Sequence, residues 1–591
     1  MKLKTKDKIK LDKIEKYPYA AFSVYGDMAW NKTGSWRYVR PVYVESVPPC
    51  QAGCPTGENV EAWIKLLAEK RYAEAFDLIR MENPFPAITG RVCFHPCENR
   101  CNRSHMGGAV SINMLEQFVS DQGVELPPAK SFGLNGGLKI AVVGSGPAGL
   151  AAAYHLTRLG HQAVVFERAA MAGGMLRYGI PSYRLPRTVL DREINRLTAM
   201  GIQLKTSTSP DLQTLIKDFD RVVLAVGAQA STNLGIEGEN SEGVMHGLDF
   251  LRKANTGGLK ELPKRIAVIG GGNTAMDCAR VALRLGADDV TVYYRRTRAQ
   301  MPAFAEEIEA AEQEGAKFIF LRSPDAFSGS TDHVEMKFQV MQLGVPGEDG
   351  RRKPVAVEGN FETFRADLVL LATGEAVETD RLKDLVKVDR RSVQVDQFLH
   401  TSAKGVFAAG DVTPGTRTVT DALGMGKLVA VAIDSESRGI DIMDVMKNTV
   451  VPTGKTVTME YYLKYLKNRQ DDKKMEVVEF ERLNPFHFSI QPRPERPKAD
   501  FSEIDPPEHE VFAEINQTIP EELAMKESDR CMHCGRCIDC DNCYIYCPDG
   551  AITPKEGGGY TIDMNFCKGC GVCVHECPRA AMAMIEEPVE F

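Results

Sequence analysis

The chain has 591 residues, 43% of them apolar and 26% charged, with a formal net charge of −8. That length exceeds what one hydrophobic core supports, so three to four domains are expected. The acidic balance argues against nucleic-acid binding, and no run of about 18 apolar residues is present to span a membrane. No apolar stretch follows the basic N-terminus, so a secretory signal is not expected and the cytoplasm is the expected compartment.

Fifteen of the 16 cysteines fall into two groups, one near each end. In a reducing compartment this grouping points to metal ligation rather than disulfides. The first forty-odd residues are polar and aromatic without clear periodicity and read as an extended arm. Cys50, Cys54, Cys93, Cys97 and Cys101 follow. Between them, Val60, Trp63, Ile64, Leu67, Ala75 and Leu78 sit near helical spacing, so residues 1–135 are expected to form a helical domain.

Lys139 then opens an apolar strand that runs into Gly144-Ser-Gly146-Pro147-Ala148-Gly149, with a helix from Leu150. Glycines at these positions permit a tight turn, close approach of a pyrophosphate, and close helix–strand contact, and the helix N-terminus offers N–H groups to phosphate. The next strand ends at Glu167, placed to bond a ribose, with Arg168 beside it. Further along, Val406-Phe-Ala-Ala-Gly410-Asp411 puts an aspartate where two-domain flavoproteins bond the ribityl chain of FAD. The helix-like stretch from Thr420 can aim its N-terminus at the flavin pyrimidine ring. Gly174, Met175 and Gly227 complete the expected FAD contacts.

A second fingerprint, Gly270-Gly-Gly272-Asn273-Thr274-Ala275, follows a similar strand. Its second strand ends in Arg295 and Arg296 rather than an acid, which suits a 2′-phosphate and favours NADPH, with NADH as the alternative. Short strands ending at Gly227 and Gly374 bracket this loop. The expected order is an FAD-binding domain in two parts, 136–231 and 376–440, interrupted by an NAD(P)H-binding domain at 232–375. Cys278, on the helix after the second loop, reads as a small buried residue. No Cys-x2-Cys pair lies in this domain, which removes a thioredoxin-reductase-like reading. Residues 441–525, rich in proline and charge, are expected to be an extended linker.

The last segment, 526–591, carries Cys537-x2-Cys540-x2-Cys543-x3-Cys547-Pro and Cys567-x2-Cys570-x2-Cys573-x3-Cys577-Pro, the bacterial ferredoxin spacing in tandem. The fourth cysteine of each motif serves the other cluster. One 4Fe–4S cluster is thus assigned to Cys537, Cys540, Cys543 and Cys577, the other to Cys567, Cys570, Cys573 and Cys547. Cys531 and Cys534 extend the same spacing upstream; they either displace Cys537 by a register slip, bury as thiols, or tune a cluster.

Cys50-x3-Cys54-Pro, Cys93-x3-Cys97-x3-Cys101, Asn83-Pro-Phe-Pro, Gly173-Gly-Met and the two dinucleotide loops resemble the glutamate synthase small-subunit family. The ferredoxin tail resembles that fused to some members, and the chain as a whole resembles the NAD(P)H:acceptor oxidoreductases that work beside dissimilatory sulfite reductase in sulfur metabolism. The resemblance implies an N-terminal cluster on Cys54, Cys93, Cys97 and Glu116, with Cys50 or Cys101 as the alternative fourth ligand. Full members carry a Cys-x2-Cys upstream that this chain lacks, which implies one N-terminal cluster fewer and three clusters in all.

The expected fold is therefore multidomain α/β. A helical iron–sulfur domain leads, two Rossmann-like domains are nested, and a ferredoxin-like α+β domain closes the chain. The expected activity is that of an NAD(P)H:acceptor oxidoreductase, passing electrons through FAD and clusters to or from a redox protein such as sulfite reductase or ferredoxin. A homodimer is implied by the resemblance. A glutamate-synthase-like subunit, a bifurcating NADPH:ferredoxin oxidoreductase subunit and a redox scaffold or sensor are the other readings.

Overall fold

The computed structural model describes residues 32–123, 125–259, 261–329, 333–347, 350–389, 392–415, 417–449, 457–468, 476–499 and 512–587. Most of the expected N-terminal arm lies outside them. The chain divides into two compact units.

The larger unit holds residues 50–468 and 491–531. It opens with helices Val60–Ala68, Tyr72–Glu82, Pro86–Val92 and Ile112–Gln122. Their apolar faces meet around Trp63, Phe76, Leu115 and Phe118, all nearly inaccessible to solvent. Two five-stranded parallel sheets follow, as the strand–helix alternation of the sequence requires. The first orders Val406–Ala408, Arg221–Leu224, Lys139–Val143, Gln162–Phe166 and Gln203–Lys205. Its edge strand at 406–408 arrives only after the chain has built the whole second sheet. That sheet orders Lys317–Phe320, Asp289–Tyr294, Arg265–Ile269, Leu368–Leu371 and Val244–His246. Two short antiparallel strands, Ala230–Ser231 and Glu375–Ala376, mark the crossings between the two domains.

Two features differ from the sequence reading. A three-stranded antiparallel ribbon of Arg322–Gly329, Val334–Pro346 and Arg352–Ala366 is built onto the second domain. The stretch expected as an extended linker contains helices Ile442–Thr449 and Met459–Asn468. Val445, Met459 and Tyr462 of these helices are buried in the core of the first domain, so apolar periodicity there outweighs the local charge and proline content.

The smaller unit gathers residues 32–49, 476–490 and 532–587. Strand Val39–Tyr43 pairs antiparallel with Met582–Glu586, from Val39 opposite Glu586 to Tyr43 opposite Met582. A hairpin of Ile552–Pro554 and Tyr560–Ile562 completes the small sheets. The domain expected over residues 1–135 is thus divided near residue 50. A strand needs a ladder partner, the neighbouring helices offer none, and the C-terminal strand supplies it. Arg37 reinforces the pairing with bonds to Glu587 at 2.6 and 2.7 Å and to the carbonyls of Met564 and Cys567 at 2.6 and 3.0 Å.

Candidate functional site

In the larger unit, a cavity of about 1160 Å³ opens beside the first glycine loop. Helix Pro147–Arg158 begins there at its proline, whose missing N–H costs nothing in the first turn. Gly144, at φ 109°, places its missing Cβ 2.3 Å from the Ala225 carbonyl oxygen, so no other residue fits. At Gly146 a Cβ would meet nothing within 4 Å. That opening is what a pyrophosphate approaching the backbone requires. Gly149 lies off the cavity, packed on the Gly144 carbonyl, the helix–strand contact expected of the third glycine.

Glu167 is buried, and its Oε2 accepts from the Ser145 N–H and hydroxyl at 3.0 and 2.6 Å while Oε1 accepts from the Ala169 N–H at 2.7 Å. It therefore braces the glycine loop as well as lining the cavity. Arg168 lines it too, in a two-pronged ion pair with Glu378 at 2.9 and 3.0 Å. Gly174, Met175, Gly227, Gly410 and Asp411 complete the wall. Burial holds the Asp411 carboxyl up at about 6, with Arg417 opposing and Glu375 adding to the shift.

From the second loop, Asn273 and Thr274 reach the same cavity. Gly270, at φ 153°, abuts the Ala372 carbonyl, and a Cβ on Gly272 would meet nothing within 4 Å, repeating the geometry of the first loop. Gly270, Gly272, Gly374, Arg295 and Arg296 lie outside the cavity wall. The two arginines part company: Arg295 is exposed, while Arg296 is buried and donates from Nε to the Arg352 carbonyl at 2.9 Å. Only Arg295 is presented outward as a cation for a phosphate. Cys278 is fully buried, as expected of a small packing residue.

Several lining residues escaped the sequence reading. Val92 and Phe94 flank Cys93 and both line the cavity. Phe94 stacks on Phe304 with centroids 3.4 Å apart, and the Phe304 N–H is held by Asn273 Oδ1 at 3.1 Å. Arg184 and Asp277 also line the wall and bond each other at 2.9 Å. Asp277 had a signal, since it lies one turn beyond Thr274 on the same helix. Phe94 had none, because only tertiary closure carries it from the cysteine loop to the cavity.

Thr420 departs from its expected role. The wall is formed by Thr418, Val419 and Ala422 of helix Val419–Ser437, and the Thr420 hydroxyl instead sits 3.8 Å from Cys93 Sγ. One helix terminus therefore touches both the cavity and a candidate cluster ligand.

Glu116 lies within electrostatic reach of Cys54 and Cys93, and Cys54 and Cys93 lie within reach of Cys97. Burial pushes the Cys54 thiol up to about 12, with Glu58 and Glu116 adding to the effect. Glu116 is raised well above the carboxylate range by burial and by Glu58. Its Oε1 accepts from Asn83 Nδ2 at 3.0 Å and from the Thr89 hydroxyl. So many buried groups that ionise as anions suit a site built for a cationic group. Cys50 also lies within reach of Cys97, and Cys50 and Cys101 pack against the same apolar core as Cys54 and Cys97.

In the smaller unit, Cys537, Cys540, Cys543 and Cys577 line one small pocket with Tyr43 and Tyr560. Cys567, Cys570 and Cys547 lie close around Cys573 and raise its thiol to about 12, after burial as the larger cause. The crossed ligand sets expected from the spacing are thus brought together. Tyr43 Oη stands 3.2 Å from Cys543 Sγ. Among the described residues no disulfide forms, and no helix is long and apolar enough to cross a membrane.

A paired dinucleotide fold with cysteine-rich domains at both ends defines an iron–sulfur flavoprotein of the pyridine-nucleotide type. Residues 138–426 match the family described as pyridine nucleotide-disulphide oxidoreductase, residues 44–126 dihydropyrimidine dehydrogenase domain II, 4Fe-4S cluster, and residues 536–581 the 4Fe-4S dicluster domain. The chain is 34% identical over 428 residues to the glutamate synthase [NADPH] small chain of Azospirillum brasilense, covering 66% of this chain and 87% of that one. It belongs to the glutamate synthase small-chain family. It is 38% identical over 423 residues to the NADP(+)-dependent formate dehydrogenase subunit beta of Moorella thermoacetica, covering 66% of this chain. To the NADPH-Fe(3+) oxidoreductase subunit beta of Geobacter sulfurreducens (strain PCA) it is 35% identical over 421 residues, covering 64% of this chain. The chain spans 60% and 62% of these two relatives, less than two thirds of each.

Proposed function

We propose that the chain is an NADPH:acceptor oxidoreductase, in which FAD in the 1160 Å³ cavity links a nicotinamide donor to 4Fe–4S clusters. One observation carries the reading. The cavity is lined by the first glycine loop, by Asn273 and Thr274 of the second, and by both neighbours of Cys93. A two-electron donor site and a cluster ligand thus adjoin one chamber.

Bound there, the flavin would accept a hydride's two electrons and release them singly. The chain's part is to position. The open faces of Gly146 and Gly272 admit pyrophosphates, Asp411 stands to hold the ribityl chain, and Arg295 supplies the cation for a 2′-phosphate. The Phe94–Phe304 stack stands at the edge of the chamber beside Cys93. No acid–base side chain is needed, because hydride transfer depends on alignment.

Cys54, Cys93, Cys97 and Glu116 would hold the N-terminal cluster, with Thr89 and Asn83 orienting the carboxylate. Cys537, Cys540, Cys543 and Cys577, and Cys567, Cys570, Cys573 and Cys547, would hold the two in the tail. The acceptor is a redox protein of the sulfite reductase or ferredoxin kind, and the working form a homodimer. Anaerobic addition of NADPH should bleach the flavin absorbance within the mixing time of a manual experiment. If neither NADPH nor NADH bleaches it, the oxidoreductase reading fails.

A further inference from the structure

Helix Val419–Ser437 lines the cavity with Val419 and Ala422 and with its N-cap, Thr418. Three other positions on it, Thr420, Gly424 and Lys427, follow at helical spacing and share a second face. All three meet the loops that carry the proposed N-terminal ligands. The Thr420 hydroxyl is 3.8 Å from Cys93 Sγ. A Cβ on Gly424 would stand 2.3 Å from the carbonyl oxygen of Pro55, which adjoins Cys54. Lys427 Nζ donates to the Thr56 carbonyl one residue further on. Helix Pro86–Val92, whose C-cap is Cys93, packs on the same helix. Thr420 and Cys93 are therefore held by two packed helices.

The direction of the Thr420 bond follows from counting protons. Thr420 is 5% exposed, so water does not serve its hydroxyl freely. Among the described residues its Oγ1 meets two polar side chains, Cys93 at 3.8 Å and Thr418 at 3.3 Å. The Thr418 hydroxyl donates its own proton to Asp421 Oδ2 at 2.6 Å, so toward Thr420 it can only accept. A Cys93 thiol would donate to Thr420, whose proton would then turn to Thr418. A Cys93 thiolate has no proton to give, and the Thr420 proton is free to turn to sulfur. The His95 N–H, 3.2 Å from the same sulfur, is a backbone donor that cannot rotate and stays in place in both states.

We propose that Thr420 is a positioning residue of the electron path: its hydroxyl donates to the Cys93 thiolate and raises the potential of the N-terminal cluster above what the ligand set alone would give. The inference rests on the function proposed above, which makes Cys93 a cluster ligand. A hydrogen bond to a ligand sulfur strengthens as negative charge builds there, so it favours the reduced form. One helix would then bound the chamber of the electron donor with one face and tune the acceptor with the next.

The test is a potentiometric titration of the full-length protein, with cluster reduction followed by electron paramagnetic resonance. Thr420→Val keeps the side-chain shape and removes the hydroxyl. The reduction equilibrium of one cluster should fall about fivefold, or about 40 mV for a one-electron couple, while the other clusters stay at their parent values. Thr420→Ser keeps the hydroxyl and should hold the parent potential. Unmoved cluster potentials in Thr420→Val overturn the proposal. An equal fall in Thr420→Ser also overturns it, because packing would then be the cause. If Thr420→Val does not fold, Thr420→Ala set against Thr420→Ser makes the same comparison. Flavin bleaching by NADPH is read separately. Bleaching with unmoved cluster potentials overturns this inference alone, and a shifted potential without bleaching by either nucleotide overturns the oxidoreductase reading alone.

Discussion

Lys427 offers a direct test of how the iron–sulfur helices are fixed to the flavin-type domain. Its side chain is 0% exposed, and Nζ donates to the Thr56 carbonyl and to Glu82, itself 3% exposed. Glu82 also accepts from the N–H groups of Met459 and Glu460 at 2.8 and 3.0 Å, capping the helix that starts there. Lys427→Met would leave a buried carboxylate without its cation, a change that costs about 3–5 kcal/mol. Because two backbone donors still hold Glu82, the lower end applies, about 3 kcal/mol. At roughly 2 °C per kcal/mol the apparent Tm should fall by about 6 °C. Scans at one fixed rate, comparing the parent, Lys427→Met, Glu82→Gln and the double variant, give the coupling between the two. The double variant should be less damaged than the sum of the singles. A Tm loss below about 1 °C for Lys427→Met, or strict additivity in the double, would refute the argument. A second readout is iron content, since Thr56 lies two residues past Cys54 and a released loop should shed the N-terminal cluster first.

Arg295→Ala should raise KM for NADPH about tenfold and leave KM for NADH unchanged, the loss expected for one charge-assisted bond to phosphate; equal effects on both would place the 2′-phosphate elsewhere. Tyr43→Phe removes the 3.2 Å contact of Tyr43 Oη with Cys543 Sγ, a thiolate proposed to hold a tail cluster. Such a bond favours the more negative reduced state, so the tail cluster's potential should drop on the order of 40 mV in a redox titration. Burial works against charge on His400, but Asp396 and Glu436 at 2.9 and 2.7 Å prevail and hold its pKa above the usual value. That stabilisation is complete below about pH 6.5 and is lost as pH rises through the raised folded value, so the Tm–pH slope across this window should vanish in His400→Asn.

What could be read from the sequence was whatever chemistry imposes on short spacings. Gly144 and Gly270 are legible because a turn with φ above zero beside a carbonyl excludes other residues. The tail cysteines are legible because a cubane needs its ligands two residues apart. Other features depend on surfaces far apart in sequence. Phe94 carries no spacing signal, and its place beside Phe304 follows only from closure of the fold. The helix terminus points Thr420 to the flavin in the sequence, yet one position around the helix turns its hydroxyl to Cys93. Helix Met459–Asn468 hid among charged neighbours because its start is fixed by Glu82, in another part of the chain. The long ribbon of Val334–Pro346 and Arg352–Ala366 is weakly patterned because its outer half is solvated on both faces.

The pairing of Val39–Tyr43 with Met582–Glu586 bears on how the protein is made. The first strand leaves the ribosome long before its partner, so the small sheet closes only after all of the chain between them has been made. Until then Val39–Tyr43 is an open strand edge, able to recruit a wrong partner. The ferredoxin-like unit should therefore mature after the domains between its two strands, with iron delivered to it only once Met582–Glu586 has emerged. A bulky fusion at the C-terminus would be expected to lower cluster loading in the tail more than one at the N-terminus.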